Sequence, residues 1–230
     1  VYCHYFRTIL LSAVTADVIA HYFEGDLRTF LTPEYTMQSP WELLLYTLMG
    51  FIAALASVGF SRMLYFSEDI WNLIRIPEPT KPIFGGVLLG LLGIASYQID
   101  GFPRVFGVGY ETIESTLFSQ LTLQVTFGLL ILKLIATTLT LGSGGSGGIF
   151  APSLFMGAML GASFGQIAHT LFPEIVAPSG AYALVGMAAF FSGAAHAPIT
   201  AILILYEMTG DYQIILPLML ATVISAIVSR

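Results

Sequence analysis

The run Gly142-Ser143-Gly144-Gly145-Ser146-Gly147-Gly148-Ile149-Phe150-Ala151-Pro152 combines residue types that can hold an anion with main chain alone. Glycines let backbone approach an ion without Cβ clashes. Ala151-Pro152 reads as a helix start, because proline suits the first helical turn, where its missing N–H is not needed. The free N–H groups at such a start, with the positive end of the helix dipole, form an anion site. Two apolar runs flank this segment, Leu123–Leu141 and Ser153–Phe172. In lipid, unpaired backbone is tolerated only where it is buried in protein or lines a water-filled cavity. The chemistry expected is therefore reversible binding of a dissolved anion where a membrane helix is broken. Ser143, Ser146 and Gly147 support the loop. The two serines either donate hydroxyls to the ion or, the better-supported role, cap the break.

Competing chemistries fail on their second requirements. Gly142 to Gly147 matches the dinucleotide pattern G-x-G-x-x-G, but that pattern needs a preceding strand and an acidic residue about 20 positions later. The preceding run is of membrane length, and no acid occurs before Glu174. A P-loop lacks its Gly-Lys-Ser/Thr ending. An intramembrane enzyme needs a Ser/Lys, paired-Asp or His–metal constellation, and the serines near Gly144 have no evident base. His169 and His196 have no carboxylate or thiol company at metal spacing, so loop or interface roles are expected and no metal site. Cys3, the sole cysteine, reads as a small apolar residue.

The elements that must position this segment are those of a membrane protein. Of 230 residues, 56% are hydrophobic and 10% charged, with mean hydropathy +0.84, against about 25% charged in soluble domains. Eight basic residues argue against nucleic acid, and the net charge of -6, spread over loops, names no partner. The chain opens on valine without a charged n-region, so no signal peptide is expected, and both ends read as cut from something longer. Apolar segments are expected at Tyr5–Phe23, Trp41–Phe66, Pro82–Ile99, Leu123–Leu141, Ala151–Phe172, Tyr182–Gly193, Ile199–Met208 and Ile214–Ser229. A short, polar Tyr110–Gln120 cannot span. Loops are expected at Glu24–Pro40, Ser67–Lys81, Asp100–Gly109 and Pro173–Gly180. A crossing needs about 20 residues, and short interrupted segments mark ion sites in transporters.

Gly157, Gly161 and Gly165 form a double GxxxG face, and Gly86 and Gly90 repeat the spacing. Both faces are expected to serve close helix packing. Lys133 lies mid-run, where it either supplies positive potential, snorkels to an interface or pairs with a carboxylate. Asp17, near His21 and Tyr22, is expected at the periphery. Glu207, beside Asp211, reads as a cap or ion-pair member rather than a proton relay. Trp41, Tyr46 and Tyr65 read as interfacial anchors.

Gly148-Ile149-Phe150-Ala151-Pro152, embedded in Leu141–Gly161, resembles the third selectivity-filter segment of the chloride channel and chloride/proton antiporter family. Gly107-Val108-Gly109-Tyr110-Glu111 before a short helix resembles that family's re-entrant region. Ala197-Pro198 and the run into Glu207-Met208-Thr209-Gly210-Asp211-Tyr212-Gln213 fit as well. The resemblance implies an all-α integral membrane fold of broken and re-entrant helices, the second of two inverted repeats. Residues 1–23 would be the last helix of a first half, 24–40 a loop and 41–230 the second half. It implies chloride transport, as channel or chloride/proton antiporter, with the N–H groups of Ile149 and Phe150 coordinating the ion. No cofactor is implied beyond chloride as the transported ligand. It further implies a homodimer, with one pore per subunit, through segments 5–23, 199–209 and 214–229, in a multi-pass setting expected to be a prokaryotic inner membrane. The family's ion-touching serine, gating glutamate and proton glutamate belong to the first half and its tyrosine ligand lies further on. Glu111, Glu114 and Glu207 are not substitutes for them. A non-conducting structural or regulatory subunit is the alternative.

Overall fold

A computed structural model describes residues 2–25, 30, 32–33, 35, 39–101 and 104–230, without the side chains of residues 2–6, 24, 99 and 100. The side chain of Cys3 and most of the expected loop 24–40 lie outside what the structure describes. The described residues form α-helices α1 (Tyr2–Glu24), α2 (Glu42–Leu73), α3 (Lys81–Asp100), α4 (Tyr110–Leu117), α5 (Leu123–Gly142), α6 (Phe150–Leu171), α7 (Ser179–Ala195), α8 (Pro198–Thr209) and α9 (Ile215–Val228). Four stretches are long and apolar enough to cross a membrane: α2, α5, α6 and residues Glu78–Gln98, which contain most of α3. The architecture is all-helical, as expected. The largest boundary difference is at Ser67–Leu73, which continues α2 instead of opening a loop. Glu68 and Asp69 are exposed there while Trp71 is buried, so an amphipathic last stretch carries the helix on. At 32 residues and 1.5 Å per residue, α2 is longer than a bilayer core is thick.

The core is built around α7, whose residues Ser179 to Gly193 are all buried. A helix apolar on every side belongs inside. The Gly157/Gly161/Gly165 face of α6 packs on it as expected. A Cβ on Gly161 would lie 2.1 Å from the Tyr182 carbonyl oxygen, and one on Gly157 2.6 Å from that of Gly186. The reciprocal Gly186 meets Gly157 O at 2.4 Å. On its other side α7 is tied to α9 by Ser192 Oγ donating to Thr222 O (3.0 Å) and Ser225 Oγ to Ala189 O (2.6 Å). Such hydroxyl bridges join helices where apolar attraction is weak.

On α3 the expected glycine face is not the packed one. Gly86 and Gly90 meet open space, whereas Gly85 abuts Ser143 and Gly93 abuts the Phe106 ring. The spacing was read correctly but one residue out of phase with the contact, because α3 presents Gly85 and Gly93 to α5 and the 104–109 segment. Tyr46 is likewise no interfacial anchor. It is buried, stacked on Tyr182 with centroids 4.5 Å apart. Trp41 and Tyr65 are exposed.

Candidate anion site

α5 ends in a Schellman motif. Gly144 takes φ +82°, its N–H donates to Leu141 O (3.0 Å), and the Gly145 N–H donates to Thr140 O (2.9 Å). This left-handed position favours glycine. Ser143 stands at the C-cap, its Oγ donating to Thr140 O at 3.1 Å. It serves the helix end, as expected of a capping serine. Thus the unpaired run is shorter than the glycine-rich sequence: Gly142 is helical, and Ser143 to Gly145 fold back onto the last turn.

α6 opens at Phe150 with Ile149 as its N-cap residue, and its first bond runs from Ser153 N to Ile149 O (3.0 Å). Pro152 is the third helical residue and has no N–H. Among the described residues, the N–H groups from Ser146 to Ala151 have no main-chain acceptor. The helix dipole adds a partial positive charge, about half an elementary charge. Ser153 Oγ donates to Phe150 O at 2.6 Å. The Phe150 ring stands edge-on to Phe191 of α7, centroids 5.2 Å apart. The start of α6 is therefore held from behind while its donors stay open.

A cavity of about 370 Å³ lies at this start. Its wall includes Ser146, Gly147, Gly148, Ala151 and Pro152, the segment Val105 to Val108, and Lys133 and Thr137. At about 30 Å³ per water, it has room for an anion with part of its hydration shell. Ile149 and Phe150 border it without lining it; they are 46% and 38% exposed. Ser143 is buried away from it. A second cavity, about 570 Å³, runs from Arg104 through Phe106–Val108 to Gly109, Glu111 and Ser115 at the start of α4. The segment Phe106–Val108 is shared by both. Gly109 takes φ +82° directly before α4, so the glycine pair of Gly107-Val108-Gly109 forms a turn into the short helix.

Lys133 departs from two of the three sequence alternatives, and it lines the cavity, where its charge bears on the third, a positive potential. Its Nζ donates to Val105 O (2.8 Å) and Gly107 O (2.7 Å) and stands 4.8 Å from the Phe155 ring centroid. It neither snorkels nor meets a carboxylate among the described residues. Asp17 is exposed beside His21 (3.6 Å). Asp211 Oδ1 accepts from Gln213 N (2.9 Å), closing a turn. Glu207 is exposed on the last turn of α8, with no ion pair among the described residues. His169 Nδ1 sits 3.3 Å from Val176 O, and His196 ends α7 at φ +52°. Sequence reasoning missed Glu42. It is fully buried, and its Oε1 accepts from Ala177 N (2.7 Å), Tyr182 OH (3.2 Å) and Tyr46 OH (3.4 Å).

The profile of the voltage gated chloride channel family matches residues 3–230. A Ralstonia nicotianae protein described as a ClcB-like chloride channel protein is 35% identical over 94% of this chain and 49% of its own length. The H(+)/Cl(-) exchange transporter ClcA of Vibrio campbellii is 29% identical over 97% of this chain and 47% of its own. The chain thus spans about half the length of these curated relatives. The crystal structure of a slow cyanobacterial Cl-/H+ antiporter superposes with a TM-score of 0.74 and 26% identity, covering 86% of this chain and 46% of that one. The chain belongs to the voltage gated chloride channel family.

Proposed function

We propose that this chain supplies one half of a transmembrane chloride pathway. The carrying observation is the run of N–H groups from Ser146 to Ala151, without main-chain acceptors among the described residues, at the positive end of α6 and beside a cavity of about 370 Å³. Ile149 and Phe150 N–H groups ligate the ion, assisted by Gly148 and Ala151. Pro152 fixes the helix start, and Ser143, Ser146 and Gly147 shape the approach. Partial charges suit passage because they bind weakly enough to release. Family membership and relatives named for chloride transport support the reading. The protein carries out transport rather than catalysis, needs no cofactor, works as a homodimer with a pore per subunit, and resides in a prokaryotic inner membrane.

The direct test removes one donor and leaves the helix. An amide-to-ester replacement at Phe150, in the full-length protein reconstituted in liposomes, exchanges the N–H for oxygen. Losing a hydrogen bond to a charged group is expected to weaken chloride affinity roughly tenfold or more. Ile149→Pro is the simpler variant, since flexible Gly148 precedes it. Phe150→Pro would also push Ile149 out of its helical conformation (φ -93°, ψ -25°). Unchanged flux together with unchanged affinity would defeat the proposal.

A further inference from the structure

The Lys133 ammonium is almost wholly buried at the middle of a membrane-length helix, where an uncompensated charge costs several kcal/mol. Its position is held by what it binds. Its contacts belong to the Val105 and Gly107 carbonyls and the face of Phe155. Phe155 in turn packs against Gly109, where a Cβ would come within 2.6 Å of the ring. One ammonium therefore joins α5, the start of α6 and the segment that leads into α4.

Val105 and Gly107 line the same cavity as Gly148, Ala151 and Pro152. Bare carbonyl oxygens there would repel the anion that the α6 N-terminus attracts. Among the described residues no peptide bond is cis, and in a trans peptide the N–H points opposite its C=O. Turning the Val105 and Gly107 carbonyls to Lys133 therefore turns the Phe106 and Val108 N–H groups the other way. Phe106 and Val108 also line the wider cavity.

We propose that Lys133 is a positioning residue. Its ammonium covers the carbonyl oxygens of Val105 and Gly107 and pins residues 105–109, so that these two carbonyls do not oppose the N–H groups offered at the start of α6. The inference rests on the anion-binding reading of α6, and differs from a lysine that acts only as a distant positive charge.

Lys133→Met and Lys133→Arg in the full-length protein test it, with two measurements: chloride affinity in the purified protein, and hydrogen exchange of peptides covering residues 105–109. Lys133→Met is expected to weaken chloride binding about tenfold, the worth of one charge-assisted hydrogen bond, and to speed exchange across 105–109. Lys133→Arg keeps donors for both carbonyls and is expected to stay near wild type in both. Weakened chloride binding with unchanged exchange overturns the proposal in favour of a pure charge effect. Faster exchange with unchanged affinity overturns it as well, since the segment would then be no part of the ion site. Exchange in the α6–α7 pair reports folding, and Lys133→Gln, scored by the same criteria, replaces any Met variant that fails to fold. A wild-type protein that binds no chloride defeats the anion-site reading itself, whereas a failed latch leaves wild-type binding intact.

Discussion

Glu42 shows how much one buried side chain can organise. Three donors from α2, α7 and the loop before α7 converge on a single carboxylate oxygen, and the two tyrosines among them stack on one another. Replacing it with alanine strands the Ala177 N–H and two phenols in a dry interior. Hydrogen bonds to charged groups contribute about 1.5–3 kcal/mol each, and unsatisfied buried donors cost about 1–3. Glu42→Ala is expected to destabilise the protein by roughly 3 kcal/mol, read as a lowered thermal midpoint in detergent, while Glu42→Gln, which keeps an acceptor oxygen, loses less. Equal midpoints for Glu42→Ala and wild type would show that the network contributes nothing. No sequence signal pointed here. An acid in the first turn of a helix, beside exposed Trp41, reads as an ordinary dipole partner, and its partner Ala177 is 135 positions away. Lys133 was visible as a suspect because charge at membrane depth is conspicuous. Its carbonyl partners were not, because a backbone oxygen leaves no trace in composition.

At the scale of elements, local chemistry determined most of what could be read. Gly144 announces a helix end and Pro152 a helix beginning, and both lie within a residue or two of the observed limits. Glycine spacing signals a close-packing face but not its phase, which is why Gly157/Gly161/Gly165 was identified correctly and Gly86/Gly90 was not. The two sets give opposite expectations. Gly161→Ala drives a methyl into the Tyr182 carbonyl, and overpacking costs about 1–3 kcal/mol. Gly86→Ala meets open space on α3 and is expected to be neutral or stabilising by up to about 1 kcal/mol, through helix propensity. Parallel unfolding of the two variants in detergent checks this. A Gly86→Ala loss as large as that of Gly161→Ala would show that another helix lies on that face of α3.

For the whole molecule, the exposed surfaces divide by what they can bury against. Residues 7–23 of α1 are all exposed. On α8, Ile199 and Leu203 are exposed, and on α9 Leu216, Met219, Val223 and Ile227. Those spacings place each set on a single side of its helix. Lipid alone would satisfy such stripes, so apolarity does not decide their role; shape does, because helix pairs in membranes associate through packing rather than hydrophobic attraction. A twofold contact through α1, α8 and α9 is self-complementary, and one bulky change is met twice. If the proposed homodimer forms through α1, α8 and α9, Leu203→Trp with Val223→Trp in the full-length protein is expected to convert it to a monomer, seen as loss of intersubunit cross-linking in membranes. The candidate anion site lies at the start of α6, and neither substituted residue lines its cavity. Each separated subunit should then keep its chloride flux. Persistence of the cross-linked pair would place the interface elsewhere, and loss of flux in a well-folded monomer would show that the pathway requires both copies.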